Sequence, residues 1–592
     1  MMYRKNLILT MVLILAGFFI YSFNLNNSLF WDDDEWIRGN VFVHSFSYLK
    51  EIFTQNVEAG FGLNSNYYRP ILLLSFVFNY VIHGIAPFGY HFVSNGFHIA
   101  NGILIFVLLG NFIGLRASFI ASLLFLIHPA QTEAVSYISG RGDPMSVFFM
   151  LLAFWFFIKS LNIKTFKSKI YKVLSFFSAI LALLSRETAV LFPLLLMIFY
   201  ISFLSKDGFM RSFKASFLKS LPFWIISAIY FVLRLTVFNF ENTLNFYSEP
   251  TIYSENLLYR LFTFGHVLIE YFKIILWPAG LHMERDLPVA TSIFQWPAWF
   301  GILIAVGIMV VGIILYRKEN SKSQIQNVSD SRMWTFGWFW FFVALGPVSG
   351  IIPINALIYE HWLYLPLIGF AAFVGFYLDK AFEFLESRSV ISRKLLLVGL
   401  IVYFSFFSFQ SIRRNILWGK PIEFYEDILK YNSLSVRIMT NLGKQYFEKR
   451  DFAKAAEFYE RAVESPGGDI FAQPHYNLGN LYRDTGRINE AIKQYEEAIK
   501  IDPTFPFAYQ NLAEIYVNKK QDFISGIEIL EKLKKVQPGN PRVFYNLGLL
   551  YLATDSVDLA IRNFELGLDL VSGQDMEVEA AISEILNKIK IR

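Results

Sequence analysis

The sequence predicts an all-α protein in two parts: a polytopic helical membrane domain over residues 1–411, with about 11 spans plus interfacial helices, and an α-solenoid over 436–592, joined by a connector at 412–435. Three observations predict this. The 592 residues are 55% hydrophobic, with 64 Phe, and only 17% charged, whereas soluble domains carry about 25%. The apolar residues fall in long runs that stop near 411. Beyond 436 the triplet Asn-Leu-Gly returns at near-constant intervals.

Composition also excludes some chemistry. There is no Cys, so disulfides, thiol nucleophiles and thiolate metal sites are out. The net charge is only +5. The basic residues sit in short loops between apolar runs, a pattern of membrane topology rather than of nucleic-acid binding.

The first span follows Arg4 and Lys5 and runs from Leu7 to Phe23. It lacks a small-residue cleavage site, so we read it as an uncleaved span with a cytoplasmic N-terminus. Further apolar runs lie at 71–86, 93–110, 117–128, 143–158, 173–184, 188–204, 220–238, 263–277, 296–316, 334–352, 362–380 and 395–411. Four basic loops (Lys159 to Lys172, Lys206 to Lys219, Arg317 to Lys322, Lys380 to Lys394) should be cytoplasmic. The loops at 24–69, 128–142, 239–262, 278–295 and 353–361 should face the other side. Parity then allows only two of the three runs between 71 and 128 to cross, and it makes 263–277 interfacial or re-entrant. An odd count puts the C-terminal part outside the cytoplasm, against a mild contrary vote from Arg413, Arg414 and Lys420.

In the C-terminal part, Asn441-Leu442-Gly443, Asn477-Leu478-Gly479 and Asn546-Leu547-Gly548 recur, with Asn511-Leu512-Ala513 as a degenerate member. Four residues after each Leu comes Tyr446, Tyr482, Tyr516 or Tyr551. A small residue follows in every repeat (Ala455, Ala491, Gly526, Ala560), then Tyr459, Tyr495, Leu530 or Phe564. This is the 34-residue tetratricopeptide repeat (TPR) pattern. Four repeats are expected, at 436–469, 472–505, 506–540 and 541–574, with a capping helix at about 576–590 and a groove for a protein or peptide.

In the membrane part, ionisable groups at span mouths are costly and mark function. Asp32-Asp33-Asp34-Glu35 follows the first span directly. The bland reading is a solvated acidic cap; the enzymatic one is a general base. Arg69, the stretch from His128-Pro129 through Thr132-Glu133 to Arg141 and Asp143, Arg186-Glu187, and Glu360-His361 fall on the same expected side. His91 and His98 lie near or inside a span, where a lone His is more often a structural hydrogen-bonder than a ligand. Acids could activate a hydroxyl and arginines grip a phosphate. No nucleotide-binding loop, HExxH or serine elbow is present, which suits a lipid-activated donor.

These residues resemble the transmembrane and tetratricopeptide-repeat-containing (TMTC-like) proteins, GT-C glycosyltransferases related to protein O-mannosyltransferases. The resemblance rests on Asp32-Asp33 with Asn40, Tyr68-Arg69-Pro70 with Asn79, Tyr90-His91 with Asn95 and His98, His128-Pro129 through Glu133 to Arg141 and Asp143, Glu187, and Glu360 with Leu363-Tyr364-Leu365-Pro366. His361 stands where the family has Arg, and Gly142 departs within the Gly-Arg stretch. The resemblance implies a GT-C membrane fold and an inverting transferase. It would move a sugar, mannose first, from a polyprenyl-phosphate sugar lipid to a hydroxyl of an extracytoplasmic protein acceptor held by the TPR groove. Asp32 or Asp33 would be the base. Arg69, Arg141 and Arg186 would aid the leaving phosphate. His98, His128, Glu133, Asp143, Glu187, Glu360 and His361 would bind substrate. A divalent cation, Mg2+ or Mn2+, is compatible with Asp32, Asp33 and Asp143, and nothing in the sequence requires one. The setting expected is the bilayer of a prokaryotic plasma membrane rather than the endoplasmic reticulum. The alternatives are a transporter, a non-catalytic TPR scaffold, or transfer to a lipid or cell-wall glycan.

Overall fold

The computed structural model describes all residues except 1, 164, 206–207, 241–250, 320–327, 355, 387, 572–575 and 591–592. Among the described residues every regular element is helical, and the chain forms two units, Met1–Lys420 and Pro421–Arg592.

The first unit begins with α1 (Met2–Tyr21), α2 (Pro70–His83), α3 (Pro87–Ile113), α4 (Leu115–Ile127), α5 (Gly142–Asn162) and α6 (Phe166–Ser185). It continues with α7 (Glu187–Leu204), α8 (Phe209–Leu235), α9 (Leu257–Leu276), α10 (Trp296–Glu319), the run 330–344 (α11), α12 (Pro366–Glu386) and α13 (Val390–Trp418). Eight of these are long and apolar enough to cross a membrane: α1, α3, α5 to α8, α10 and α13. The remaining apolar runs of the sequence form α2, α4, α9, α11 and α12.

Contacts fix how these helices run. Asn95 donates to Tyr21 O at 2.9 Å and Gly17 packs on Ile99, so α1 and α3 are antiparallel. Gly102 meets Leu126 while Gly110 meets Ser118, which sets α4 antiparallel to α3. Ser146 reaches Ala182 O and Ser175 reaches Ala153 O, pairing α5 with α6 in the same sense. Gly369 sits on Gly337 and Lys380 pairs with Asp330, so α12 runs against α11. Small residues at these crossings let backbones approach, the main packing device where lipid removes the hydrophobic drive.

Helices α2 and α9 each contact the first turns of a neighbouring helix. Arg69, just before α2, reaches Glu187, while Asn79 near its other end donates to Gly89 O in the first turn of α3 at 3.2 Å. In α9, Gly265 abuts Ala298 and Gly301 in the first turns of α10, and Ile275 O takes a hydrogen bond from His128. Antiparallel pairing of α1 with α3, α3 with α4, α5 with α6 and α11 with α12 alternates the direction of these helices. Length and composition qualify eight helices as spans, while α2 and α4 are shorter apolar helices.

The two ends differ in charge. At one end Arg116 pairs with Asp379, Arg393 with Glu386, and Arg332 donates to Ser205 O. Lys159, Lys167, Lys169, Lys172, Lys214 and Lys219 are exposed on helix ends there. Lys164, Lys206 and Lys322 lie outside the described residues. The loops carrying Asp33, Arg69, Glu133, Arg186 and Glu360 lie at the other end. Of the basic residues after the last run, Arg414 is buried within α13, which continues to Trp418, while Arg413 and Lys420 are exposed.

The second unit is a solenoid of helix pairs, from Val436–Glu448 with Phe452–Glu464 to Pro541–Ala553 with Val557–Val571, closed by Met576–Lys590. No simple connector precedes it. Residues 412–418 complete α13, and Pro421–Leu429 is a helix whose Glu426 accepts from Tyr446 in the first repeat at 2.9 Å. The repeat residues work as a set. A Cβ on Gly443, Gly479 or Gly548 would lie 2.5–2.7 Å from the ring of Tyr459, Tyr495 or Phe564, so the Gly makes room for the aromatic of its paired helix. Tyr446, Tyr482 and Tyr551 each donate to a Glu of the preceding helix.

Gly479→Val should force that aromatic out and destabilise the unit by about 1–3 kcal/mol. Thermal denaturation should show a midpoint several degrees lower, while Gly539→Ala, whose Cβ meets open space, leaves it unchanged.

Candidate active site

The loop after α1 is anchored from below. Asn24 and Asn95 exchange hydrogen bonds, Asn24 donates to Ser136 at 2.9 Å, Ser136 donates to Asn415, and Asn415 donates to Ile20 O. All four side chains are buried. They tie α1, α3 and α13 to the 128–137 stretch directly beneath the acidic run. Trp31 then takes a left-handed conformation (φ 62°), unfavourable for a bulky residue, and a π-helical turn follows over Asp34–Arg38.

This turns Asp33 inward. It is 2% exposed, and its Oδ1 accepts from the backbone N–H and the hydroxyl of Ser139 at 2.8 and 2.6 Å. Burial pushes its carboxyl up to about 7, against the two Ser139 hydrogen bonds, with Asp32 and Asp34 adding repulsion. Asp32 is half-buried and acts electrostatically on Tyr67.

From Tyr67 a chain of charge pairs crosses this end. Arg69 lies over the Tyr67 ring at 4.4 Å and grips Glu187 through Nε and Nη2 at 2.9–3.1 Å. Its neighbour Arg186 meets Asp143 through Nη1 at 2.8 Å. Gly142 permits that pairing, since a Cβ there would lie 3.3 Å from Ser185 O. Asp143 in turn interacts with His361. Glu133 takes the backbone N–H groups of Glu360 and His361 at 2.9 and 3.3 Å and His361 Nδ1 at 2.6 Å. A carboxylate only accepts, so His361 carries its proton on Nδ1. Burial opposes the charge on Glu133, but His361 and Arg414 hold it below the usual carboxylate range. Glu360, fully buried, accepts from Arg285 Nη2 at 3.0 Å; burial pushes its carboxyl up against the pull of Arg414 and Arg285.

Ten of the sequence-nominated residues, Asp32, Asp33, Arg69, Glu133, Asp143, Arg186, Glu187, Glu360, His361 and Arg141, thus lie at one end, though not all in one role. Arg141 is fully buried and donates to Ser94, Ser75, Asn79 and Tyr90 O at 2.7–3.0 Å. It clamps α2 and α3 to α5, and its guanidinium is committed to protein rather than to a phosphate. His98 is bonded through both ring nitrogens to Tyr364 and Leu126 O, inside the bundle. His128 donates to Ile275 O and accepts from Ala130 N–H, and burial pushes it down to about 4. In both histidines each ring nitrogen has a protein partner. Two basic residues escaped the sequence reading: Arg285, from a loop with no recognisable motif, and Arg414, counted as a flanking charge. Only their fold neighbours, far away in sequence, reveal them.

Among the described residues no three His, Asp or Glu side chains gather as metal ligands. Asp33 is bonded to Ser139 and Asp143 to Arg186, so the set considered for Mg2+ or Mn2+ is not preassembled.

Arg141→Ala would strand three side chains and a carbonyl in the interior and leave a cavity. The expected loss is about 3 kcal/mol or more, read as a large fall in the thermal midpoint of the purified protein. A folded protein of unchanged midpoint would return Arg141 to the substrate.

The repeats match two family models, "TPR repeat" over residues 479–520 and "Tetratricopeptide repeat" over 423–470. Among curated proteins, the chain is 24% identical to "Protein O-mannosyl-transferase TMTC3" of Mus musculus over 89% of its own length and 64% of that protein. It is 24% identical to the Homo sapiens protein of that name, over 92% and 66%. It is 25% identical to "Protein O-mannosyl-transferase F38B6.6" of Caenorhabditis elegans, over 84% and 63%. The chain therefore spans less than two thirds of the length of these relatives. Among solved structures, "Crystal structure of MamA protein" aligns with 26% of this chain and 84% of its own, at 24% identity and a TM-score of 0.24. The likeness drawn from the motifs thus extends over most of the chain: it is an all-helical protein with a multi-pass membrane part and TPR repeats, homologous to proteins named TMTC protein O-mannosyl-transferases.

Proposed function

We propose that the chain is an inverting membrane glycosyltransferase of GT-C type that moves a sugar, mannose first, from a polyprenyl-phosphate donor to a hydroxyl of a protein acceptor. The reading rests above all on Asp33. A carboxylate buried beside a single serine, with its pKa brought near neutrality, is suited to general-base work. Ser139 occupies Oδ1 alone, so Oδ2 is the atom to take the proton. The names of the relatives support the reaction class.

The step balances simply. The acceptor O–H gives its proton to Asp33, its oxygen forms a bond to the anomeric carbon, and the bond from that carbon to the donor phosphate breaks. The lipid phosphate departs with the electron pair and gains a negative charge. Among the described residues Arg186 pairs with Asp143 alone, through Nη1, which leaves donors for that charge. Arg69 stands next to it, though largely engaged by Glu187. Such charge stabilisation away from bulk water is commonly the largest part of catalysis.

In this reading the basic end is cytoplasmic by the positive-inside rule, and the acidic end faces out, in a prokaryotic plasma membrane. With eleven traversing runs, the count expected from the sequence, the TPR unit lies outside the cytoplasm, where its groove takes the protein acceptor. A transporter would carry its ionisable groups along a path through mid-membrane; here they collect at one end.

Membranes given polyprenyl-phosphate mannose with a radiolabelled sugar should pass label to protein with the wild type and not with Asp33→Asn. Because the base must be ionised, activity should rise with pH through about 7. Ser139→Ala removes a hydrogen bond that lowers the Asp33 pKa, so this limb should move to higher pH. No label in protein with either form would reject the reading, and so would an unshifted limb in Ser139→Ala for the role of Asp33.

A further inference from the structure

The pair Glu360–Arg285 is only half made. Arg285 Nη2 donates to Glu360 Oε1 at 3.0 Å. Nε lies on the same edge of the guanidinium as Nη2, and a full fork would place it on Oε2. It does not: among the described residues Arg285 Nε and Glu360 Oε2 are both buried and both without a hydrogen-bond partner. Glu360 is 0% exposed, so neither group is satisfied by bulk water. Buried polar atoms left this way are rare and call for an occupant. The backbone adds to this, because Glu284, immediately before Arg285, takes a left-handed conformation (φ 55°) that a non-glycine residue adopts only when its surroundings impose it.

The chemistry of the occupant follows from the two orphan atoms. One offers a proton and the other accepts one. A phosphate oxygen only accepts and would be repelled by the Glu360 carboxylate. A hydroxyl does both at once, accepting from Nε–H and donating to Oε2. We propose that Glu360 and Arg285 form a subsite for a hydroxyl of the transferred sugar, distinct from the Arg186 group that meets the phosphate. This rests on the glycosyl-transfer reading above and deepens it. Glu133 and His361 position the subsite, since Glu133 holds the backbone on which Glu360 stands.

The test is equilibrium binding to the full chain in lipid nanodiscs, with short-chain polyprenyl-phosphate mannose, the same donor lacking one sugar hydroxyl, and polyprenyl phosphate without sugar. Wild type should bind the mannosyl donor more tightly than the bare lipid phosphate, and removal of one particular hydroxyl should erase most of that advantage. Arg285→Lys keeps the positive charge beside Glu360 and removes the fork. It should lose the advantage by about tenfold or more, the effect of one hydrogen bond to a charged group, while its affinity for the bare lipid phosphate is unchanged. Glu360→Gln should behave the same way. If both variants keep the full preference for the mannosyl donor, the gap holds only water and the subsite is refuted, with the transferase reading intact. If the variants lose both ligands equally, the pair is structural and the subsite is again refuted. If wild type binds neither lipid, the transferase reading fails with it.

Discussion

A charge removed from water must be paired, and that requirement organises one whole end of the membrane unit. Asp33, Glu133, Asp143, Glu187 and Glu360 come from four separate stretches of chain, and each is met by a different partner. Taking an ion out of water costs several kcal/mol even after relaxation. Hydrophobic packing would hold the helices together more cheaply. Groups so placed, at the mouth of a helical bundle, are where chemistry is expected.

The pairs differ in completeness, and the difference separates scaffold from site. Arg141, His98 and His128 are bonded on several sides and fix helices to one another. The Asn24, Asn95, Ser136 and Asn415 cluster sets a firm floor beneath the acidic loop. By contrast Asp33 uses one oxygen, Arg186 one nitrogen, and the Glu360–Arg285 fork one of its two bonds. Both left-handed residues of this end, Trp31 and Glu284, directly precede incompletely paired segments. Strain and unmade bonds coincide, as they do where a protein is built to receive something.

Much of this was legible in the sequence, for physical reasons. A 34-residue period and a Gly paired with an aromatic are local signals, so the solenoid could be read directly. Alternation of basic and acidic loops is nearly local, and the structure gathers those charged groups at two ends. How 71–86, 93–110 and 117–128 pack was beyond it, because all three are apolar and the contacts that place them, such as Arg141 to Asn79 and Tyr90 O, lie far apart in sequence. The hydrogen bonds of the histidines were hidden for the same reason: the partners of His98 and His128, Tyr364 and Ile275 O, are far off in sequence. Arg285 meets Glu360 across 75 residues, a pairing that no spacing rule encodes.

The position of an intact donor lipid tests the role of Asp33 most directly. A cryo-electron microscopy structure of the Asp33→Asn protein with polyprenyl-phosphate mannose should show the phosphate beside Arg186 and the anomeric carbon facing residue 33. A donor bound at the basic end, or with its sugar turned away from residue 33, would contradict it.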